Sequence, residues 1–321
     1  LFRHPHPALG ARTWAQSLVD ALIEAGALHE GGARILEIGG GTGALALGVT
    51  QALAARWPEA RGRFTYSILD LSPALRRAQR ERLADAPLPV AHIAGDVERT
   101  DLGQGAWDLI LCNEMIGDLT GVRLAREEVE PLLAGHDPEG LPVRLGDVLR
   151  RHPAVLDLAD LPDEFWINAG AISLLDHAAA ALAPGGWLYF CEFGDEHRFP
   201  VISEHLDHPE LSIHFGHLVK VARALGLEVR YEEVFDLLGA SPGLDALATT
   251  RGQFAALRHA AARAGVTLDK RAWTREALAE ALGPALPLRR LEGLRFGRLG
   301  ERVMGLHPTD FKVLLARRPL D

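Results

Sequence analysis

The 321-residue sequence predicts an α/β fold built on a seven-stranded, mostly parallel sheet with helices on both faces. Three observations carry that expectation. Short apolar runs alternate with helix-patterned segments, a glycine-rich loop directly follows the first run, and acidic or polar residues end the successive runs. In open α/β sheets the carboxyl ends of the strands are where ligands gather.

The elements follow in order. A helix is expected around Trp14–Ala25, and Arg34–Ile38 reads as the first strand. A helix from about Ala44 to Arg56 has Leu45, Leu47, Val49 and Leu53 at its apolar positions. Phe64–Asp70 is the second strand, after which Ser72 and Pro73 open a helix as N-cap and first-turn proline. Val90–Ala94 and Trp107–Cys112 are the third and fourth strands. Gly185–Cys191 is the fifth, entered through the turn Ala183–Gly186, and Leu227–Tyr231 and Phe311–Ala316 are the last two.

Two stretches interrupt the alternation. The pattern divides the chain into a core of 1–118, 171–233 and 309–321, an insertion at 119–170, and a mainly helical insertion or cap at 234–308 with helices at Gly252–Ala264 and Thr274–Leu282. Insertions at strand carboxyl ends cover or shape a ligand crevice. Extra packing at an edge of the sheet is the plainer alternative for each.

With 48% apolar residues the chain can bury a large core, which excludes a disordered protein. The formal net charge of −9 repels phosphate backbones, and no basic patch offsets it, so nucleic acid is not expected as a partner. No apolar run approaches the ~20 residues of a membrane span, so no membrane role is expected. No signal peptide is visible from Leu1 onward, and the absence of an initiating Met leaves room for sequence upstream of it. Cys112 and Cys191 both lie in apolar strand-like runs and read as core thiols, with a disulfide or a shared metal as alternatives. Two such thiols suit a reducing, cytoplasmic setting.

The most informative stretch is Ile35–Gly43. Glycines at 39, 41 and 43 let the backbone approach a ligand where strand turns into helix. Dinucleotide oxidoreductases use such a loop too, and they remain the rival class. The distinguishing residue is Glu37, two positions before Gly39, where a nicotinamide fold continues the apolar strand. S-adenosylmethionine carries a cationic amino group and a sulfonium but no pyrophosphate, so its site needs carboxylates rather than a phosphate-binding helix end. Asp70 is placed to accept the ribose hydroxyls, beside Leu71. Asp96 and Val97 follow the third strand, for the adenine amino group and ring, and Asn113 and Glu114 end the fourth beside the methionine moiety. S-adenosylmethionine, with S-adenosylhomocysteine as product, is the expected cofactor.

With these residues the chain resembles a class I S-adenosylmethionine methyltransferase with a Rossmann-like core. More narrowly, it resembles the MidA-type family, which includes the mitochondrial complex I assembly factor that methylates a protein arginine. The likeness rests on His6–Gly10, Asp70–Gln79, Asn113–Leu119, Glu192–Gly194 (where the family has Asp-Tyr-Gly), Ser212–His214 with Leu218, and Phe311–Leu314. The departures lie near the substrate. Gly117 and Asp118 replace the family's Asp-Ala, Thr120 stands at its proline, and Gly216 replaces the acid after the histidine. The resemblance implies a methyl acceptor that is a protein or peptide, as a guanidinium or amine. A small molecule of a biosynthetic pathway is the alternative, and an assembly factor that binds the cofactor without turnover is the non-enzymatic one.

Methyl transfer is an in-line displacement that draws on positioning, electrostatics and removal of the acceptor's proton. Glu114 is the first candidate base, with orientation of the methionine amino group as its other role. The paired-glutamate clamp of protein arginine methyltransferases is not reproduced, since position 123 is Arg and Glu127 and Glu128 come too late. His214 matches a family position and is a candidate to line the acceptor pocket, as is Asp118, with helix capping as its alternative. Trp166 and Asn168 could wall the same pocket, with core packing the alternative for Trp166. The histidines at 197, 205, 208, 214 and 217, with Glu196, match no zinc spacing, and no metal is expected. A homodimer through the helical insertion is left open.

Overall fold

The computed structural model describes residues 5–138, 141, 143–159, 161–205, 208–241, 243–249, 251–269, 273–291, 293–298 and 310–320. Helix α1 (Trp14–Glu24) starts at a capping box in which the Thr13 side chain accepts the Gln16 N–H and Gln16 returns the bond to Thr13. Strand β1 (Ala33–Ile38), α2 (Ala44–Arg56), the short α3 (Ala60–Arg63) and β2 (Phe64–Asp70) follow. Ser72 caps α4 (Pro73–Arg82), accepting from the Leu75 N–H, with Pro73 in the first turn. Strands β3 (Val90–Ala94) and β4 (Trp107–Asn113) complete the first half.

The first insertion holds β5 (Val122–Ala125), α5 (Arg126–Leu133), α6 (Val143–Arg151) and β6 (Glu164–Ile167), and leads into α7 (Ala169–Ala181). Then come β7 (Leu182–Asp195), the hairpin β8 (Ile202–His205) and β9 (His208–Leu211), β10 (Ile213–His214), α8 (Phe215–Ala224) and β11 (Glu228–Glu233). The second insertion holds α9 (Val234–Leu237), β12 (Asp245–Ala248), α10 (Arg251–Arg263), α11 (Arg275–Leu282) and β13 (Arg295–Arg298). Strand β14 (Phe311–Arg317) closes the fold.

The central sheet runs β11-β14-β7-β4-β1-β2-β3, with β10 added alongside the end of β7. The β3–β2, β2–β1, β1–β4 and β4–β7 pairs are parallel, and β14 runs antiparallel to both neighbours. The expected mostly parallel sheet is therefore present. The expected turn Ala183–Gly186 sits inside the longer β7: Trp107 pairs with Leu182 and Leu109 with Trp187, so four residues of β7 bulge opposite one of β4.

Side chains alternate across the sheet with the strand period of two. Leu36, Ile110, Cys112, Leu188, Phe190, Leu314 and Ala316 join a core with α6, α7 and α8. Ile35, Leu109, Leu111, Tyr189, Cys191, Val313 and Leu315 join another with α1 and α2. Cys112 and Cys191 therefore face opposite sides of the sheet, and both are free thiols.

The first insertion is not an appendage. Leu124, Val129, Leu132, Leu145, Val148, Phe165 and Ile167 are buried in the same core as the sheet. Its ends are tied by the antiparallel pair β5–β6. The second insertion contains, beside α10 and α11, the antiparallel pair β12–β13. It packs its own small core of Leu257, Ala261, Leu268, Trp273, Leu278 and Leu282. Its residues 299–308 lie outside the described residues. Among the described residues no helix is long and apolar enough to cross a membrane.

Candidate active site

The glycine loop leaves β1 with Gly39, Gly41 and Gly43 all at positive φ. Gly39 donates its N–H to Leu69 O at 2.9 Å, which pins the loop to β2, and a Cβ there would strike Met115 Cγ at 2.3 Å. Gly41, at φ +49, has nothing within 4 Å of where a Cβ would stand, so its face is open to a ligand. Glu37 lies beneath the loop, 3% exposed, and accepts a hydrogen bond from the Tyr66 hydroxyl at 2.9 Å. Burial, with Asp70 nearby, pushes its carboxyl up to about 7 against the opposing pull of Tyr66.

Asp70 ends β2 and is also buried. One oxygen accepts the Ser72 N–H at 2.8 Å, and the other accepts the Gln79 amide at 2.8 Å. The same Gln79 nitrogen donates to Gly41 O at 2.9 Å, so one fully buried side chain fixes the glycine loop to the acid at the next strand end. Gln79 stands in the sequence block quoted above, yet its role is invisible there, because the bond spans from α4 back to a loop before α2. Arg76 braces the same corner, donating to Asp70 O and Leu71 O at 2.7 and 2.8 Å. Beside it Leu71 is 68% exposed and gives an apolar surface at the rim of the site.

Asp96 follows β3. It accepts the Glu98 N–H at 3.0 Å, and Arg99 approaches its other oxygen at 3.5 Å. Val97 is buried against the core. Glu98 in turn accepts the Thr120 hydroxyl at 2.9 Å, joining this loop to the start of the first insertion. Gly170 permits that approach, since a Cβ there would lie 2.5 Å from Glu98 Oε1 and 2.7 Å from Thr120 N. Thr120, the departure from the family's proline, thus gains a partner that proline could not offer.

At the end of β4, Asn113 accepts from the Tyr189 hydroxyl and donates to Glu114, each at 3.3 Å. Glu114 is exposed, has φ +52, and gives its N–H to Cys191 O at 2.8 Å. A non-glycine residue in the left-handed region is held there by its surroundings and marks a site worth weighing. The 3-10 turn Ile116–Asp118 follows, with Asp118 exposed. Under it lies Glu192 of β7, 9% exposed, accepting Phe193 N–H at 2.9 Å and facing Gly117 N at 3.4 Å. Burial, reinforced by Glu114 and Glu210, pushes its carboxyl up to about 8 although both backbone N–H groups pull the other way. Sequence reasoning noted Glu192 only as a motif position; its burial was the missing signal.

His214 ends β10 and caps α8, accepting the His217 N–H at 3.3 Å on Nδ1. Asn168, buried, accepts His214 N–H at 2.9 Å and donates to Ser212 O at 3.1 Å. The His214 and His217 rings stack at 3.7 Å, with Phe199 edge-on to both. Burial lowers His214 to about 4 and His217 well below the usual range, so the pair is neutral. Trp166 is half-buried on β6, in register with Arg123. The side chains of His205 and His208 lie outside the described residues, and among those described no group of three metal-binding side chains comes together.

Glu37, the glycine loop, Asp70, Asp96, Asn113 and Glu114 thus line the carboxyl ends of the four neighbouring strands β1, β2, β3 and β4. An open glycine face, an exposed apolar Leu71 and carboxylates without a phosphate-type basic cluster fit S-adenosylmethionine. Fold and site together are those of a class I, Rossmann-like methyltransferase. Residues 14–203 match the model of a family described as S-adenosyl-L-methionine-dependent methyltransferase, and the chain belongs to that family. Its cofactor is S-adenosylmethionine.

Two solved structures from Burkholderia thailandensis are similar to the chain. One, of an uncharacterized protein, is 20% identical, with 96% of this chain and 79% of that chain covered at a TM-score of 0.53. The other, bound to S-adenosyl-homocysteine, is 20% identical, with 96% of this chain and 76% of that chain covered at a TM-score of 0.52. At that identity the likeness speaks for the fold alone. No relative matches among the curated proteins.

Proposed function

We propose that the enzyme transfers a methyl group to a nitrogen or oxygen of a protein or peptide acceptor, an arginine or amine side chain foremost, as a MidA-type methyltransferase. The observation that carries this reading is the row of acids at strand ends, buried beside the glycine loop at Glu37 and exposed beside the acceptor end at Glu114. The cofactor supplies a methyl group on a cationic sulfonium.

In this reading Gly39, Gly41 and Gly43 bring the backbone close to the bound molecule, and Glu37 takes its amino end. Asp70, oriented by Gln79 and Ser72, holds the ribose hydroxyls, with Leu71 on the apolar ring. Asp96 and Val97 take the adenine, and Asn113 and Glu114 the methionine end. Glu114 either accepts the acceptor's proton or orients that end. Asp118 and Glu210 add negative charge to the acceptor side, which suits a guanidinium or ammonium before its proton leaves. The exposed Val201 and Ile202 border the β8–β9 hairpin next to this end and suit a peptide better than a small polar molecule. His214 and Asn168 support the acceptor wall from behind. The first insertion (119–170) shapes that wall, the second (234–308) caps it, and the unpaired thiols suit a cytoplasmic enzyme.

The test is calorimetry with S-adenosylmethionine and S-adenosylhomocysteine, followed by incubation with host lysate and labelled S-adenosylmethionine. Label in one protein band supports the reading. Label only in small molecules moves the acceptor to a biosynthetic metabolite, and binding without transfer would leave an assembly factor.

A further inference from the structure

Glu192 has no part in the reading above, yet it is the most deeply buried acid at the acceptor end of the sheet. It stands one residue beyond Cys191, whose carbonyl accepts the Glu114 N–H at 2.8 Å. Its own carboxyl reaches across to the turn that follows Glu114, with one oxygen 3.4 Å from Gly117 N and the other on Phe193 N at 2.9 Å. Gly117 is closed in from the other side as well: a Cβ there would lie 2.8 Å from Leu211 O and 3.6 Å from Glu192 Oε2. The turn is therefore held between β7 and β9, three residues after the left-handed backbone at Glu114 (φ +52). Where the MidA-type pattern carries an acid on the turn itself, this chain has a glycine, and the carboxyl of Glu192 lies against it.

We propose that Glu192 is a positioning residue of the acceptor site, its carboxyl holding the 114–118 turn through Gly117 and so setting where Glu114 stands. This rests on the reading in which Glu114 faces the acceptor. The groups facing Glu192 are Glu114 from the end of β4, Glu210 from β9 and the Cys112 thiol on the same side of the sheet. Lys312, opposite it in register on β14, is drawn instead to Glu233 at 3.0 Å. Burial, with Glu114 and Glu210 nearby, keeps Glu192 protonated at neutral pH, and it gives up its proton near 8. Ionisation then strengthens the bonds from the Gly117 and Phe193 N–H groups but sets a second negative charge beside Glu114, and transfer falls.

The experiment compares Glu192→Gln, Glu192→Asp and Glu192→Ala with the unaltered enzyme. Label transfer from S-adenosylmethionine to host lysate is followed from about pH 6 to about pH 9, spanning the carboxyl near 8. Binding of S-adenosylhomocysteine is measured alongside. Gln, neutral and of the same reach, should keep neutral-pH transfer within about threefold, less than one net hydrogen bond, and should remove the alkaline fall. Asp and Ala, too short to reach Gly117, should lose roughly tenfold or more while S-adenosylhomocysteine affinity stays within about twofold. A second readout needs no acceptor: hydrogen exchange over residues 114–120 should quicken in Glu192→Ala and not in Glu192→Gln. Exchange unchanged in Glu192→Ala would overturn the proposal. So would a Gln variant as inactive as Ala with binding intact, since that outcome assigns Glu192 a charged role. Failure of the unaltered protein to bind S-adenosylhomocysteine would instead strike the reading of the site as a whole.

Discussion

The Gln79 side-chain nitrogen lies 2.8 Å from Asp70 Oδ2, and the same atom lies 2.9 Å from Gly41 O. One buried amide thereby sets the distance between the acid at the end of β2 and the open face of the glycine loop. Asp70→Ala should weaken S-adenosylmethionine binding by about 1.5–3 kcal/mol, the loss of charge-assisted hydrogen bonds. Gln79→Ala should cost about 1 kcal/mol of binding, since it acts on the ligand only through Asp70 and Gly41. Calorimetry that ranks Gln79→Ala at or above Asp70→Ala would show that the loop, not the acid, dominates.

Gly41 makes a sharper test of where the ligand approaches. Its φ of +49 and its open Cβ position mean that Gly41→Val strains the loop by about 1–2 kcal/mol and fills the space a ligand would use. The variant should fold, with a lowered melting temperature, and bind no S-adenosylhomocysteine. Retained binding would move the cofactor away from this face.

Glu37 gives the site a pH dependence. Its carboxyl, pushed up to about 7, is largely protonated on the acid side of that value and must ionise to pair with an ammonium group. Affinity for S-adenosylhomocysteine should therefore rise as pH climbs toward 7, by up to about tenfold per unit, and then level off. Glu37→Gln should bind more weakly and flatten the profile. A flat profile in the unaltered enzyme would mean that Glu37 does not meet the amino group.

Glu114→Gln separates chemistry from binding. Transfer should slow far more than S-adenosylmethionine affinity falls, because the side chain is exposed on the acceptor side. Normal turnover would end its candidacy as base.

The stacked histidines should govern acid stability. His214 is held neutral down to about 4, against a usual value of 6.5, so the unfolded chain takes up the proton first. Its contribution to stability is present above 6.5 and is lost as pH falls from there toward 4, at up to about 1.4 kcal/mol per unit. His214→Asn keeps a side chain able to cap α8 and removes the titration. Denaturant midpoints across this range should then fall less steeply than in the unaltered protein.

Much of this was legible in the sequence, because it is written in short-range terms. Strand and helix periods, the Ser72–Pro73 helix start and the glycine loop each depend on neighbours a few residues apart, and Phe64–Asp70 and Ala44–Arg56 emerge with the boundaries their patterns imply. Glu37, Asp70, Asp96 and Asn113 stand out in the sequence because parallel strands deliver their ends to one edge. The sequence likewise reads as departing from the MidA-type pattern at 117, 118, 120 and 216. What it could not show is how those departures are answered. Thr120 reaches Glu98, and Glu192 reaches Gly117, each across more than twenty residues and between elements that only folding brings together. The opposite facing of Cys112 and Cys191, the burial that lifts Glu192, and the joining of the first insertion to the main core were likewise decided by tertiary structure alone. Burial and strand neighbourhood are properties of the packed sheet, and no local pattern of residues encodes them.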